Sequence, residues 1–313
     1  MQLDTTGRGR MGFKRTLRKY WWFYLMLVPG LLYFLVFKYL PMYGVLISFK
    51  NYSIFKDFSG SPWVGFENFT KLFGRVSFQR ALVNNIIISV MKLLFGFPLP
   101  IILSLMLNEM HSNRLKRGVQ TAIILPNFIS WIVINGLMYA LFNTNSGALL
   151  SVMRLFGYTG AAPNILTDKE HFRWVILISY LWKSGGYGTI IYLAAIAGID
   201  QSLYEAAEID GAGRLKQLWH VTLAGLRPTI IILLIFRVGE MMNAGFDQIY
   251  AISNYLVVSV SEIIDTYVYK LGMENRKFSE AAAAGLFQNV IGMTLVLVTN
   301  WIARRVDPES GII

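Results

Sequence analysis

Asp200-Gln-Ser-Leu-Tyr-Glu205-Ala-Ala-Glu-Ile-Asp210-Gly-Ala-Gly-Arg214-Leu-Lys-Gln-Leu-Trp-His220-Val-Thr-Leu-Ala-Gly-Leu-Arg-Pro228 is polar, yet it is patterned as two short helices rather than a loop. Ser202-x-x-Glu205 has the form of a capping box, which predicts a helix start. Leu203, Ala206, Ala207 and Ile209 give that helix an apolar face with small residues on it. Asp210-Gly211 predicts its end. A second helical piece then puts Leu215, Leu218, Trp219 and Thr222 on one side, with Arg214, Lys216, Gln217 and His220 mostly on the other. Two turns of helix are unstable alone in water, so the first piece must pack against something. An interfacial connector lying on lipid and a docking element for a cytosolic partner both meet that need.

Working outward, the segment is flanked by apolar blocks, Trp174–Ile199 before it and one from about Leu226 to Ile249 after it. Four more follow the same pattern: Tyr20–Tyr39, about Ala81–Leu107 (interrupted by Lys92), a block within Val119–Phe142, and Ala281–Ala303. A hydrocarbon layer of ~30 Å needs about 20 helical residues, so each block is long enough to cross it. The blocks are continuously apolar, which excludes the alternating strands of a membrane barrel. The sequence therefore predicts an all-α integral membrane protein with six transmembrane helices. It divides into a basic tail at 1–19, a membrane domain at 20–304 that includes the polar segment at about 200–225, and a short tail at 305–313.

Composition agrees. Of 313 residues, 55% are hydrophobic and 15% charged, against about 25% charged in an ordinary soluble domain. The chain has no cysteine, which excludes disulfide scaffolds, Cys-ligated metals and thiol catalysis. Its three histidines, His111, His171 and His220, are too dispersed for a metalloprotease-type motif, so no metal or catalytic residue is expected. The net charge of +11 fits basic loops flanking membrane spans better than nucleic-acid binding. Arg8, Arg10, Lys14, Arg15, Arg18 and Lys19 precede the first span and predict a cytoplasmic N-terminus; Arg304-Arg305 after the sixth predicts a cytoplasmic C-terminus. The first block is too long for a secretory signal core and is read as a retained span. Gly7-x-Gly9-x-x-Gly12 follows no strand and is read as chance.

Glu205-Ala206-Ala207-x-x-x-Gly211, followed after nine residues by Val221-x-Leu223, resembles the EAA loop of ABC importer permeases. The family pattern ends in Ile-x-Leu-Pro; this chain has Val221 for Ile and Ala224 for Pro, with Pro228 four residues later. Tyr39-Leu-Pro41-Met-Tyr-Gly44, Trp63-Val-Gly65-Phe-Glu-Asn68-Phe, Ile191-Tyr-Leu-Ala-Ala195-Ile, Met241-Met-Asn243-Ala-Gly245-Phe-Asp247-Gln248 and Ile263-Ile-Asp265-Thr-Tyr267-Val-Tyr are similar to the MalF/LplB-like sugar-permease branch. The resemblance covers nearly the whole chain. It implies a type I ABC importer permease fold in the bacterial cytoplasmic membrane, with Glu205, Ala206, Ala207 and Gly211 coupling to an ATPase. It also implies a second related permease in a heterodimer, two cytosolic ATPase subunits that carry the ATP and Mg, and an extracytoplasmic solute-binding protein. This chain itself would be non-catalytic and without cofactor.

Lys92, Lys183, Arg237 and Glu240 fall deep within predicted spans. An intramembrane charge is costly and should face a protein interior or a wet cavity. Trp182, Lys183 and Tyr187 combine aromatic faces with a cation, and Gly185-Gly186-x-Gly188 predicts a loosened or kinked helix beside them. Arg237 and Glu240, three apart, predict a structural ion pair. Asn243 and Asp247 continue that helix face, and with Trp182, Lys183, Tyr187 and Gln248 they are the candidates for lining a substrate path. Lys92 reads as structural. Three deep cations against one anion hint at acidic cargo, such as a uronate or alginate-type oligosaccharide. The competing readings are a membrane-embedded transferase acting on lipid-linked sugars and an ABC permease for a non-sugar solute. The transferase would want paired acidic residues at a membrane face, and Asp200, Glu205, Glu208 and Asp210 are the only such cluster.

Overall fold

The computed structural model describes residues 13–160 and 164–306. The terminal stretches 1–12 and 307–313, which hold most of both predicted tails, lie outside the described residues. Among the described residues the secondary structure is helical, apart from one antiparallel bridge between Lys50 and Trp63. The principal elements are α1 (Phe13–Phe34), α2 (Glu67–Phe73), α3 (Val76–Gly96), α4 (Pro98–Asn108), α5 (Asn113–Ile124), α6 (Trp131–Phe142) and α7 (Ala148–Leu155). They continue with α8 (Phe172–Ala197), α9 (Gln201–Ile209), α10 (Arg214–Met242), α11 (Phe246–Ile252), α12 (Ile264–Tyr269) and α13 (Phe278–Val306).

Among the described residues, four continuous runs are long and apolar enough to cross a bilayer: Lys19–Phe49, Val76–Asn108, Arg214–Met242 and Phe278–Arg305. They contain the predicted first, second and sixth spans and most of the fifth. The first is helical from Phe13, with a break at Tyr20 (φ −114°) that separates the basic start from the apolar part. It passes through a π-helical turn at Leu35–Tyr39 into a 3₁₀ stretch, Leu40–Phe49. Its apolar part is exposed along its length until Leu40–Phe49 packs on α13. There Phe49 meets the rings of Trp63, Phe66 and Phe69.

Three predictions about the spans are corrected. The third block is not one straight helix. α5 ends in a 3₁₀ turn at Leu125–Phe128, the chain extends through Ile129 and Ser130, and α6 leaves at 102°. Pro126 lacks an amide hydrogen and Ser130 caps the next helix by accepting from Val133 N at 3.3 Å, so both punctuate the apolar run.

The fifth block also breaks. α10 stops at Met242, Asn243–Gly245 is non-helical with Gly245 at φ +101°, and α11 starts afresh. Asn243 and Asp247 therefore do not continue the Arg237–Glu240 face.

The glycines of the fourth block produce no kink: α8 runs unbroken for 26 residues, about 39 Å at 1.5 Å per residue. A Cβ on Gly186 would stand 1.9 Å from the Ile123 carbonyl oxygen, so the residue serves close helix approach. Lys183, Ser184 and these glycines make α8 less apolar than the four runs above.

α8 is the central element, packed by α3, α4, α5 and the 125–128 turn. Around it Ile88, Phe172, Ile176, Ile249 and Ile263 form one buried cluster. Tyr192, Ile196 and Leu226 form another towards the α9 end, and Leu72, Phe78 and Tyr267 a third under α13.

Candidate functional site

Two regions hold part of the predicted functional residues, a hook and a cleft among the long helices. The hook is α9. Its N-cap is Asp200, whose carboxylate accepts from Ser202 N at 2.9 Å. Ser202 thus sits in the first turn and is not the cap. The backbone bond from Ser202 holds the Asp200 carboxyl below its ordinary pKa. At the other end Gly211 N donates to Glu208 O (3.0 Å) and Ala212 N to Ala207 O (2.8 Å), with Gly211 at φ +73°. That is a complete Schellman closure, and its left-handed residue strains any side chain.

Glu205, Ala206 and Glu208 are exposed, Ala207 is half-buried, and Ile209 is 87% exposed. The hook is tied to α10 by a hydrogen bond between the Tyr204 and Thr222 hydroxyls (3.0 Å), and Thr222 is buried. At the foot of α10, Arg214 Nη2 donates to His111 Nε2 of the turn before α5 (3.1 Å).

The cleft lies between α4, α8 and α10 and has a volume of about 500 Å³. Tyr180, Tyr187 and Tyr192 of α8 face Arg237 and Glu240 of α10 across it. A smaller recess of about 130 Å³, lined by Lys92 and Asn243, shares Tyr180, Arg237 and Glu240 with it. The Tyr180 ring centroid lies 4.8 Å from Lys92 Nζ and 5.2 Å from Arg237 Cζ, within the range of cation–π attraction. Arg237 Nη1 and Glu240 Oε2 are 3.3 Å apart, with side chains 31% and 64% exposed. The predicted structural pair therefore stands open on the cleft, a geometry that leaves both charges accessible to a ligand.

Of the predicted path residues, the structure brings Tyr187 and Asn243 onto this surface. Trp182 and Asp247 are exposed but line neither cavity. Lys183 is turned to backbone: Nζ donates to Asn127 O (2.7 Å) and Ile129 O (2.5 Å), and lies over the Trp131 ring. Those carbonyls are left unpaired by the break after α5, and a cation suits a helix C-terminal end.

Lys92 does the same for α10. Buried, it donates to Ala244 O (2.7 Å) and Gln248 Oε1 (2.5 Å). Ser89 Oγ donates to Met241 O at 2.5 Å, and Asn85 Nδ2 and Gln288 Nε2 donate to Met242 O. Gln248, with its amide also donating to Ile176 O and Ser179 Oγ, belongs to this buried network and not to a wet surface.

Sequence reasoning missed Tyr180 and Tyr192. A signal was present for Tyr180, because Tyr180, Ser184, Tyr187 and Ile191 recur at steps of four, three and four, one stripe of a helix, but not for Tyr192, which lies off that stripe.

Residues 79–310 match the family described as "Binding-protein-dependent transport system inner membrane component". Protein LplB of Bacillus subtilis (strain 168) is 44% identical over 306 residues, covering 98% of this chain and 95% of LplB. The polygalacturonan/rhamnogalacturonan transport system permease protein YteP of the same organism is 40% identical over 303 residues, covering 97% and 93%. Among solved structures, a chain of a bacterial ABC transporter involved in import of the acidic polysaccharide alginate superposes with a TM-score of 0.87 at 35% identity, covering 95% of this chain and all of that one. A chain of a bacterial alginate ABC transporter, in complex with an alginate pentasaccharide-bound periplasmic protein, gives 0.86 at 35% identity, covering 95% and 98%. Matched over most of its length in both sequence and fold, this chain belongs to the inner membrane components of binding-protein-dependent transport systems, the non-catalytic permease subunits of ABC importers.

Proposed function

We propose that the chain forms one half of the pathway of an ATP-driven carbohydrate importer, and that its cargo is an acidic oligosaccharide of the uronate type. The observation that carries the reading is the open Arg237–Glu240 pair across the cleft from Tyr180 and Tyr187. Aromatic faces suit sugar rings, an accessible carboxylate suits sugar hydroxyls, and Arg237 with Lys92 behind it gives the recess a positive excess that favours an anion. The relatives named for polygalacturonan and for alginate handle acidic chains, which supports the same class.

In this reading the bent α5–α6 pair and α8 complete six spans with the four apolar runs, in a bacterial cytoplasmic membrane with both termini cytoplasmic. A second related permease supplies the other half of the pathway. Two cytosolic ATPase subunits bind ATP and Mg, and an extracytoplasmic binding protein delivers the sugar. α9 docks on an ATPase subunit through Glu205, Ala206 and Ile209. Its stroke reaches α10 through the Tyr204–Thr222 bond and the Schellman closure at Gly211, so that the cleft opens alternately to either side.

The test is uptake by the assembled importer in proteoliposomes. Arg237→Gln is expected to raise KM for oligogalacturonates about tenfold, the loss of one charge-assisted hydrogen bond. KM for neutral oligosaccharides of equal length should hardly change. Equal effects on both, or none on either, would remove Arg237 and the acidic-cargo reading with it.

A further inference from the structure

Beyond the far end of α10, the chain after α11 closes on a second cavity of about 330 Å³ that shares no lining residue with the cleft or its recess. That size lies within the range of small-molecule sites. The cavity stands at the opposite end of the 29-residue α10 from the α9 hook, roughly 40 Å along the axis. Three features of its wall are unusual together. Ser253 Oγ is buried without a hydrogen-bond partner, a state that buried hydroxyls avoid. Tyr255 is 84% exposed at the rim and offers a ring face. Glu262 Oε1 accepts from Lys270 Nζ at 2.8 Å, with side chains 14% and 36% exposed. The ammonium retains donors and the carboxylate retains lone pairs beyond that bond. By contrast Asn254, Ser261 and Thr266 satisfy backbone groups and act only as wall.

We propose that this cavity is a second saccharide subsite, holding a sugar unit of the incoming oligosaccharide at the outer mouth. The inference rests on the carbohydrate reading above. Tyr255 stacks on the pyranose face, Ser253 and Glu262 bond its hydroxyls, and Lys270 pairs with a uronate carboxylate. Only α11 separates the recess at Gly245 from Ser253, about 10 Å of helix. In this proposal an oligosaccharide of several units spans that distance and occupies both places, whereas a disaccharide fills one.

The experiment uses the complete importer in proteoliposomes with its binding protein and oligogalacturonates from dimer to hexamer. Tyr255→Ala and Ser253→Val are expected to raise KM for the hexamer about tenfold, as loss of a stacking face or a buried polar contact does. KM for the dimer, kcat and ligand-free ATP hydrolysis should stay at wild-type values. Unchanged KM at every length, or the same increase at every length, overturns the subsite while leaving the carbohydrate reading in place. A wild type that imports no oligosaccharide overturns both. As a second measurement, the chain has no cysteine, so Tyr255→Cys gives one labelling point on it. A membrane-impermeant maleimide added outside should react there, and the hexamer should slow the reaction at least severalfold. Labelling that the hexamer leaves unchanged counts against the site.

Discussion

Lys92 and Lys183 show how a charge inside a membrane segment is made tolerable. Each ammonium is placed on the carbonyls of a broken helix end, and the break exists where the cation can reach it. The two features stabilise one another, since a buried carbonyl without a partner costs about 1–3 kcal/mol and an isolated charge more. Lys183→Met keeps the length of the side chain but removes both donations. It should lower the stability of the detergent-solubilised importer by about 2 kcal/mol, read as an earlier thermal unfolding midpoint. The ratio of KM values for acidic and neutral sugars should stay unaltered; a changed ratio would return Lys183 to the substrate path. This assignment could not be made from the sequence. Trp182-Lys183 beside Tyr187 is equally consistent with a sugar site, and only the position of Asn127 and Ile129 decides between them.

At the scale of elements, the α9 hook was the most legible part, because caps and left-handed closures are encoded locally. Gly211 and the face of Leu203, Ala206, Ala207 and Ile209 were readable outright, and the start was misplaced by two residues because Asp200 and Ser202 are both good capping residues. The Asp200 carboxyl is held below its unfolded pKa. Its contribution is therefore complete above about pH 4 and fades only as pH falls through the lower folded value. Between pH 5 and 8 the amide protection of α9, corrected for intrinsic exchange, should be flat. Asp200→Asn should preserve the ATP hydrolysis stimulated by the binding protein and Asp200→Ala should reduce it, because asparagine caps and alanine does not. A loss in Asn as large as in Ala would show that the charge, and not the cap, matters. The long apolar elements were legible as blocks but not in their interruptions: Pro126 and Ser130 signalled one break, whereas Asn243–Gly245 sits in a run that hydropathy alone cannot divide.

For the whole molecule, the hook keeps Leu203 and Ile209 exposed while Tyr204 anchors it to a long helix. Glu205→Lys and Gly211→Val are expected to leave the subunit inserted and folded but to abolish co-purification of an ATPase subunit. Full co-purification together with sugar-stimulated ATP hydrolysis in both variants would sink the coupling role. The apolar length of the first span, exposed up to Leu40–Phe49, likewise adds nothing to this subunit's own core. The cleft belongs to this scale as well. Tyr187 and Asn243 were named from sequence as path candidates, and Arg237 and Glu240 as a structural ion pair; that all four border one cleft and its recess is visible only once α8 and α10 are packed.

The sequence by itself determined the medium, the helical class and the hook. Those follow from the free energy of apolar residues in lipid and from hydrogen bonds made within a few positions along the chain. Tertiary structure alone decided where the apolar helices stop and which polar side chains close their ends. The partner of Ala244 O is 152 residues away and that of Ile129 O is 54. Such pairings exist only after the helices have packed, because no local propensity can specify which distant donor will arrive at an unpaired carbonyl.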